Sequence, residues 1–224
     1  IAVDRQGALD MAQFRAALSP RVALVSIMWA NNETGVMFPV PELAELAHEQ
    51  GALFHCDAVQ VVGKIPMALS QTRIDMLSCS AHKFHGPKGV GCLWLRRGTR
   101  FRPLLRGGHQ AHGRRAGTEN ISGIVGMGAA SELAQVHLPG MAQISQLRDR
   151  LAHHLQATIP AVTVMGGSQP RVPGTLNLAF ECIEGEAILL LMNQAGIAAS
   201  SGSACTSGSL EPSHVMRAMN IPYT

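Results

Sequence analysis

The chain has 224 residues, of which 46% are hydrophobic and 15% are charged, and its formal net charge is +3. This composition excludes a disordered chain. No apolar run reaches the roughly 18 residues that a membrane-spanning helix needs, so we expect no membrane association. The length predicts one to two domains.

Positive charge is concentrated between Met76 and Thr118, where nine Lys or Arg residues occur and no acidic residue does. A basic block of this kind is one feature of nucleic-acid-binding proteins. However, few aromatic residues lie within it and no nucleic-acid-binding signature is present. A small anion such as a phosphate explains the block at least as well, and we expect no nucleic-acid partner.

The five cysteines are widely spaced and form no CxxC pair, so the sequence predicts neither a zinc site nor a disulfide framework. Four lie in apolar, strand-like surroundings and are expected to be buried: Cys56, Cys79, Cys92 and Cys182. Cys205 instead lies in a Ser/Gly-rich loop at 200–209, where its thiol would be accessible. An incidental exposed thiol is the alternative interpretation of Cys205.

Short apolar runs alternate with helical patterns along the first half of the chain. Strands are predicted at 22–29, 52–56, 74–79 and 89–95, and a helix begins near Pro39 and ends before Gly51. Strands that alternate with helices in this way predict an α/β fold with a mainly parallel sheet.

The second half continues with two helical patterns, at 122–137 and from Ile144 to Leu155. A strand at 175–180, a helix at 186–194 and a last helix opened by Pro212 follow. Pro139-Gly140 is the strongest boundary signal in the chain. We therefore predict a large domain over residues 1–137 and a smaller α/β domain over 138–224.

Polar residues follow three of the predicted strands, namely Asn32, Asp57 and Lys83. Ligands of α/β sheets bind beyond the carboxyl ends of the strands, so we expect these residues to meet in one crevice. Burial of Lys83 would favour the neutral amine that Schiff-base chemistry requires, with Ser80 and His82 as phosphate partners. A surface lysine in a Gly-Pro turn is the alternative.

Asp57 suits a protonated pyridine nitrogen, because a carboxylate that closes a buried strand is costly unless it meets a cation. Gln60 lies three residues further on and could reach a ring hydroxyl. A helix N-cap is the alternative for Asp57. His109 and His112 have HxxH spacing, but no carboxylate or cysteine ligand is near them in sequence, so we expect no intrinsic metal site.

Five segments contain most of these polar residues: Asn31–Gly35, His55–Gln60, Ser80–Lys83, Arg115–Thr118 and Ser201–Ser207. Their order and spacing resemble those of pyridoxal phosphate-dependent cysteine desulfurases. The segments 97–109 and 210–219 are most similar to the nitrogen-fixation type. The resemblance covers essentially the whole chain, and it implies an aminotransferase-like fold of type I.

The resemblance implies a role for each matching residue. Lys83 would hold pyridoxal 5'-phosphate covalently and move the substrate Cα proton, Asp57 would pair with the pyridinium nitrogen, and Cys205 would accept the sulfur as a persulfide. Gln60 and Asn32 would contact the ring hydroxyl and the substrate side of the cofactor. Ser80 and His82 would bind its phosphate, and Thr118 would reach the phosphate in a partner subunit.

The family also implies substrates and partners. The protein would be a cytoplasmic homodimer that converts L-cysteine to L-alanine. An iron–sulfur scaffold protein would accept the sulfur for nitrogenase assembly, and Cys205 would also contact a nascent iron–sulfur cluster. A selenocysteine lyase and a non-catalytic sulfur carrier or scaffold are the alternatives. The family's upstream phosphate loop, its stacking histidine and its carboxylate-binding arginine have no counterpart between Ile1 and Thr224. We therefore interpret the chain as a fragment that is inactive alone.

Overall fold

The computed structural model describes residues 1–201 and 213–222. They divide into two compact units. One unit comprises Ser19–Trp29 and Pro39–Pro139, and the other comprises Ile1–Leu18, Ala30–Phe38 and the described residues from Gly140 onwards. The division into domains at 1–137 and 138–224 stays a prediction.

The unit around Pro39–Pro139 contains a four-stranded sheet of order β1-β2-β3-β4. Its strands are β1 (Leu24–Met28), β2 (Leu53–Asp57), β3 (Met76–Ser80) and β4 (Gly91–Leu95). β1, β2 and β3 are parallel, whereas β4 is antiparallel to β3. The predicted α/β class with a mainly parallel sheet is therefore confirmed, although periodicity alone did not indicate the direction of β4.

Helix α2 (Val40–Glu49) connects β1 to β2 and packs against both strands. Pro41 occupies its first turn, where proline costs no hydrogen bond. Val40, Leu43, Ala44 and Ala47 recur at helical spacing, and each is fully buried. This face and Phe54 of β2, which is also fully buried, form the core of the sheet.

The remaining helices of this unit are α3 (Gln110–Gly113), which is a single turn, and α4 (Ile121–His137). Asn120 caps α4 by accepting a hydrogen bond from the Gly123 N–H at 3.1 Å. Ala130 of α4 forms a second buried cluster with Ala81 and Phe84, which follow β3. Helix α4 therefore supports the segment at the end of that strand.

The other unit contains a two-stranded antiparallel sheet, β5 (Val162–Val164) and β6 (Leu178–Phe180). Its helices are α1 (Met11–Ala17), α5 (Met141–Thr158), α6 (Gly185–Gln194) and α7 (His214–Ala218). Met165, Val215 and Met219 form its buried cluster. None of the helices within 1–201 and 213–222 is both long and apolar enough to span a bilayer.

Candidate functional site

The candidate site lies where β2 and β3 end. Asp57 is the last residue of β2, and its Cα is the register partner of Ser78 in β3. The Ala58 N–H donates a hydrogen bond to the Ser78 carbonyl at 2.9 Å. Because the two strands are parallel, Asp57 and the residues that follow Ser80 lie at the same edge of the sheet.

The carboxylate of Asp57 is held by its own turn. Its Oδ1 accepts a hydrogen bond from the Val59 N–H at 2.9 Å, and the residue is exposed. A hydrogen-bonded turn, rather than an α-helix, follows it. The alternative interpretation as a helix N-cap and the expected burial are therefore both wrong, and the carboxylate is accessible to a ligand.

A 3-10 turn, Ala81–Phe84, continues from β3. Ala81 and Phe84 are buried in the cluster beneath α4, so His82 and Lys83 between them are exposed. The Ser80 Oγ and the His82 Nδ1 are hydrogen-bonded at 2.9 Å. The sequence prediction that Lys83 is buried is wrong, but the residue lies at the same edge of the sheet as Asp57.

Lys64 is a further residue of this site, which the sequence analysis missed. Its Nζ donates a hydrogen bond to the Gln60 Oε1 at 3.3 Å. Its pKa is lowered, first by burial and then by the positive charge of Lys83. Lys64 therefore links Gln60 to the neighbourhood of Lys83, and the four-residue spacing from Gln60 was the signal available in the sequence.

His55 lies inside β2 between two serines. Its Nδ1 is 2.8 Å from the Ser26 Oγ of β1, and its Nε2 is 3.1 Å from the Ser78 Oγ of β3. Burial lowers the pKa of His55, and the negative charge of Asp57 opposes this shift. The three strands that lead to the site are thus connected by a polar chain as well as by the backbone ladder.

For three predicted site residues, the structure describes no contact with the residues at the ends of β2 and β3. Asn32 is exposed and belongs to the other unit. Thr118 is exposed in the segment between α3 and α4, where its carbonyl accepts a hydrogen bond from the Arg115 Nη1 at 3.5 Å. Cys205 lies outside the described residues. Their roles stay predictions.

The expected burial of four cysteines is confirmed for Cys56 alone. Cys79 is partly buried, and Cys92 and Cys182 are exposed. Cys92 lies in β4, where the burial pattern begins with three exposed residues. An apolar run in sequence did not distinguish this strand from β2, in which Phe54 and Cys56 are buried.

The chain has extensive similarity to known proteins. The model of the class-V aminotransferase family matches residues 1–223. A cysteine desulfurase of Klebsiella pneumoniae is 86% identical over 224 residues, and the cysteine desulfurase NifS of Azotobacter vinelandii is 60% identical over 223 residues. These alignments cover 100% and 99% of this chain and 56% of each relative. The chain thus spans about half the length of the curated relatives it matches.

Solved structures give the same result for the fold. A NifS-like protein superposes with a TM-score of 0.87 at 36% identity, covering 99% of this chain and 58% of that protein. A NifS-like protein of Rickettsia africae superposes with a TM-score of 0.88 at 29% identity, covering 100% and 60%. Enzymes of this kind depend on pyridoxal phosphate. The family model matches nearly the whole chain and two NifS-like structures superpose on it, so the chain belongs to the class-V aminotransferases.

Proposed function

We propose that the intact protein is a pyridoxal phosphate-dependent cysteine desulfurase, which converts L-cysteine to L-alanine and transfers the sulfur to Cys205. One observation supports this most directly. The neighbouring parallel strands β2 and β3 present an exposed carboxylate, Asp57, and an exposed amine, Lys83, at one edge of the sheet. The names of the relatives, cysteine desulfurases in Klebsiella pneumoniae and Azotobacter vinelandii, agree with it.

The donor set at this edge fits the cofactor. A pyridine ring that is protonated on nitrogen needs an anion, and Asp57 supplies one that a ligand can reach. A phosphate needs hydrogen-bond donors, and the Ser80 hydroxyl and the His82 imidazole are held 2.9 Å apart by their mutual hydrogen bond. Gln60 offers an amide whose Oε1 accepts a hydrogen bond from the Lys64 Nζ.

When bound, pyridoxal phosphate withdraws electrons from the substrate Cα. The Lys83 Nζ would hold the cofactor covalently, take the proton from the substrate Cα and later return a proton to the product. Asp57 would keep the ring nitrogen protonated by charge pairing. Lys64 would orient the Gln60 amide towards the cofactor through its hydrogen bond to the Gln60 Oε1.

The remaining assignments complete this proposal. Asn32 would contact the ring and the substrate side of the cofactor, and Thr118 would reach the phosphate bound in the partner subunit of a cytoplasmic homodimer. Cys205 would pass its sulfur to an iron–sulfur scaffold protein for nitrogenase assembly. Residues 1–137 would form the larger, cofactor-binding domain and residues 138–224 the smaller one.

The test is borohydride reduction of the intact protein, followed by tryptic digestion and mass spectrometry. A cofactor adduct on Lys83 blocks cleavage there, so the expected modified peptide spans residues 74–88. Lys83→Ala should lose the adduct and lower alanine formation from L-cysteine by at least about 10²-fold. Lys88→Ala, a change at an exposed lysine of the same segment, is the matched control and should retain both.

The alternatives give different results in the same assays. A non-catalytic sulfur carrier would give no adduct in the wild-type protein. A selenocysteine lyase would give the adduct but would prefer L-selenocysteine to L-cysteine. An adduct that persists in Lys83→Ala would contradict the assignment of this lysine.

A further inference from the structure

Two cysteines face each other across the antiparallel strands β3 and β4. Cys79 and Cys92 are Cα partners in the strand register, and both are free thiols. Side chains of register partners in an antiparallel pair lie on the same face of the sheet, so the two thiols are neighbours. Cys79 immediately precedes Ser80, so the pair adjoins the candidate cofactor site without belonging to it.

The two thiols differ in environment. Cys79 is partly buried and packs against the Ala81, Phe84 and Ala130 cluster, whereas Cys92 is exposed. The interaction with the neighbouring Cys79 thiol lowers the pKa of Cys92 to about 6, and the same interaction together with burial raises the pKa of Cys79. Because the thiolate is the reactive form, Cys92 is the more nucleophilic thiol of the pair.

The strand register determines how easily the two sulfurs can be joined. Ala81 donates to the Val90 carbonyl at 3.1 Å and Arg96 donates to the Asp75 carbonyl at 2.8 Å. Hydrogen-bonded pairs alternate along an antiparallel ladder, so the cysteine pair between these two positions is also of the hydrogen-bonded type.

A pair of this type has a Cα separation of about 5.5 Å, which lies within the range of natural disulfides. The Cβ atoms of opposed residues are about 4.5–5.5 Å apart, and hydrogen-bonded pairs lie at the wider end, about 1 Å beyond the roughly 3.5–4.5 Å of a relaxed disulfide. A bond between these sulfurs therefore requires the strands to approach by about 1 Å and is strained. Strained bonds of this kind are easily reduced again.

We propose that Cys92 and Cys79 are a redox modification site that peroxide converts reversibly into a cross-strand disulfide, with Cys92 attacked first and Cys79 resolving. The Cys92 thiolate attacks one peroxide oxygen, the O–O bond breaks, and the hydroxide released takes a proton from solvent. The sulfenic acid on Cys92 is then attacked by the Cys79 sulfur. The S–S bond forms, and the hydroxyl leaves as water with the Cys79 thiol proton.

The balance is a two-electron oxidation of the two sulfurs and the reduction of one hydrogen peroxide to two waters. Two equivalents of a small thiol reverse it by thiol–disulfide exchange and become a small disulfide. Metal binding is a weaker explanation for the pairing of Cys79 with Cys92. Within 1–201 and 213–222, no cluster of three or more His, Cys, Asp or Glu residues could hold a metal ion.

The test uses the intact protein, treated with equimolar hydrogen peroxide, alkylated and digested with trypsin. Cys79 lies in a peptide of residues 74–83, or 74–88 where Lys83 is modified, and Cys92 lies in a peptide of residues 89–96. We expect these two peptides to be joined with loss of two hydrogens and to separate after treatment with dithiothreitol. Cys182→Ser removes an exposed cysteine outside the pair and should give the same yield.

Single substitutions determine the order of attack. Cys79→Ser should leave a sulfenic acid on Cys92 that dimedone traps, and Cys92→Ser should leave Cys79 as a free thiol. Oxidation of Cys79 at the wild-type rate in Cys92→Ser would overturn the proposed order. Alkylation of both thiols after peroxide, while Cys182 is oxidised, would overturn the site itself.

A measurement on the wild-type protein keeps the proposal testable if a variant does not fold. The rate of Cys92 alkylation should rise with pH with a midpoint near 6. A midpoint at or above the ordinary thiol value of about 8.5 would contradict the assignment of Cys92 as the attacking thiol.

Discussion

The two ends of the parallel strand pair β2–β3 hold their aspartates in opposite ways. Before β3, Asp75 is 6% exposed, and its Oδ2 accepts a hydrogen bond from the Phe54 N–H at 2.7 Å and lies 2.8 Å from the His48 Nε2. At the end of β2, Asp57 is exposed and accepts a hydrogen bond from the Val59 N–H of its own turn. A buried carboxylate needs partners from the fold, whereas an exposed one can be left for a ligand.

The neighbouring groups show the same contrast. At the Asp75 end, the Arg96 guanidinium donates to the carbonyls of Ile74, Leu69 and Thr72 at 2.7–2.8 Å, and it lies 5.3 Å from the centre of the Trp94 ring. At the Asp57 end, His82 and Lys83 are exposed. The polar groups at the Asp75 end thus bond to other parts of the protein, whereas those at the Asp57 end are exposed to solvent.

The largest effect should come from Asp57→Asn. The amide keeps the size of the side chain but removes the charge that would pair with the ring nitrogen. We expect alanine formation from L-cysteine to fall by about 10²–10³-fold, the usual cost of removing one electrostatic contact to a reacting centre. Steady-state assays of the intact protein with saturating cofactor would measure the loss.

The control for Asp57→Asn is its free energy of unfolding. Because Asp57 is exposed, its substitution should change the free energy of unfolding by less than about 0.5 kcal/mol. If Asp57→Asn unfolds at a clearly lower urea concentration than the wild type, the carboxylate has a structural role and the contrast between the two ends is wrong.

The next effect should come from Asp75→Ala, which leaves the Phe54 N–H and the His48 ring without their shared acceptor. We expect a loss of about 3 kcal/mol in the free energy of unfolding, because a buried donor is left without a partner. Urea unfolding would measure it. Asp75→Asn retains an acceptor oxygen and should lose less, and equal losses in the two variants would show that the hydrogen bonds are not the cause.

Much of the sheet could be predicted because each strand is a short apolar run with a polar boundary. The run 52–56 before Asp57 became β2, and the run 74–79 became β3 with a shift of two residues at its start. Helix α1 was not predicted, since only Phe14 in it is buried. Strand β5 was missed because a three-residue strand has too little periodicity to detect.

Two kinds of signal in the sequence pointed to the candidate site, namely the ends of the predicted strands and short local segments. Ser80, His82 and Lys83 form one segment, so a local pattern identified them. The approach of Lys64 to Lys83 and the pairing of Cys79 with Cys92 depend on turn geometry and strand register. Neither is set by the spacing of residues along the chain.

A smaller effect should come from two glycines of α4, which packs against the Asp57 end of the strand pair. A Cβ added to Gly126 would lie 2.5 Å from the Pro87 Cγ, whereas one added to Gly128 would meet nothing within 4 Å. We expect Gly126→Ala to lower the free energy of unfolding by about 1–2 kcal/mol through overpacking. Gly128→Ala should raise it by about 0.5–1 kcal/mol through helix propensity.

Thermal or urea unfolding of the two variants tests this pair directly. Pro87 lies in the segment that follows Lys83, so Gly126→Ala should also weaken cofactor retention during dialysis. If both alanines stabilise the protein, Pro87 can move away from α4 without cost. Helix α4 would then stabilise the Asp57 end of the strand pair less than its contact with Pro87 indicates.

The smallest effect concerns His55, which lies in β2 between the two aspartates. Burial lowers its pKa below the ordinary value of 6.5, so below that pH the unfolded chain binds a proton that the folded protein does not. Stability should therefore fall as the pH decreases through 6.5, until the folded imidazole is itself protonated. Because the residue is only partly buried, the difference should be less than about 1 kcal/mol.

His55→Gln removes the titrating group and should flatten the dependence of the urea midpoint on pH below 6.5, whereas substitution of the exposed His154 by Gln should not. Adding Asp57→Asn to the wild-type background sharpens the test. The Asp57 charge opposes the effect of burial on the His55 pKa, so its removal should make the pH dependence steeper. An unchanged slope would mean that Asp57 and His55 do not interact, and that the polar groups inside the sheet are electrostatically separate from those presented at its edge.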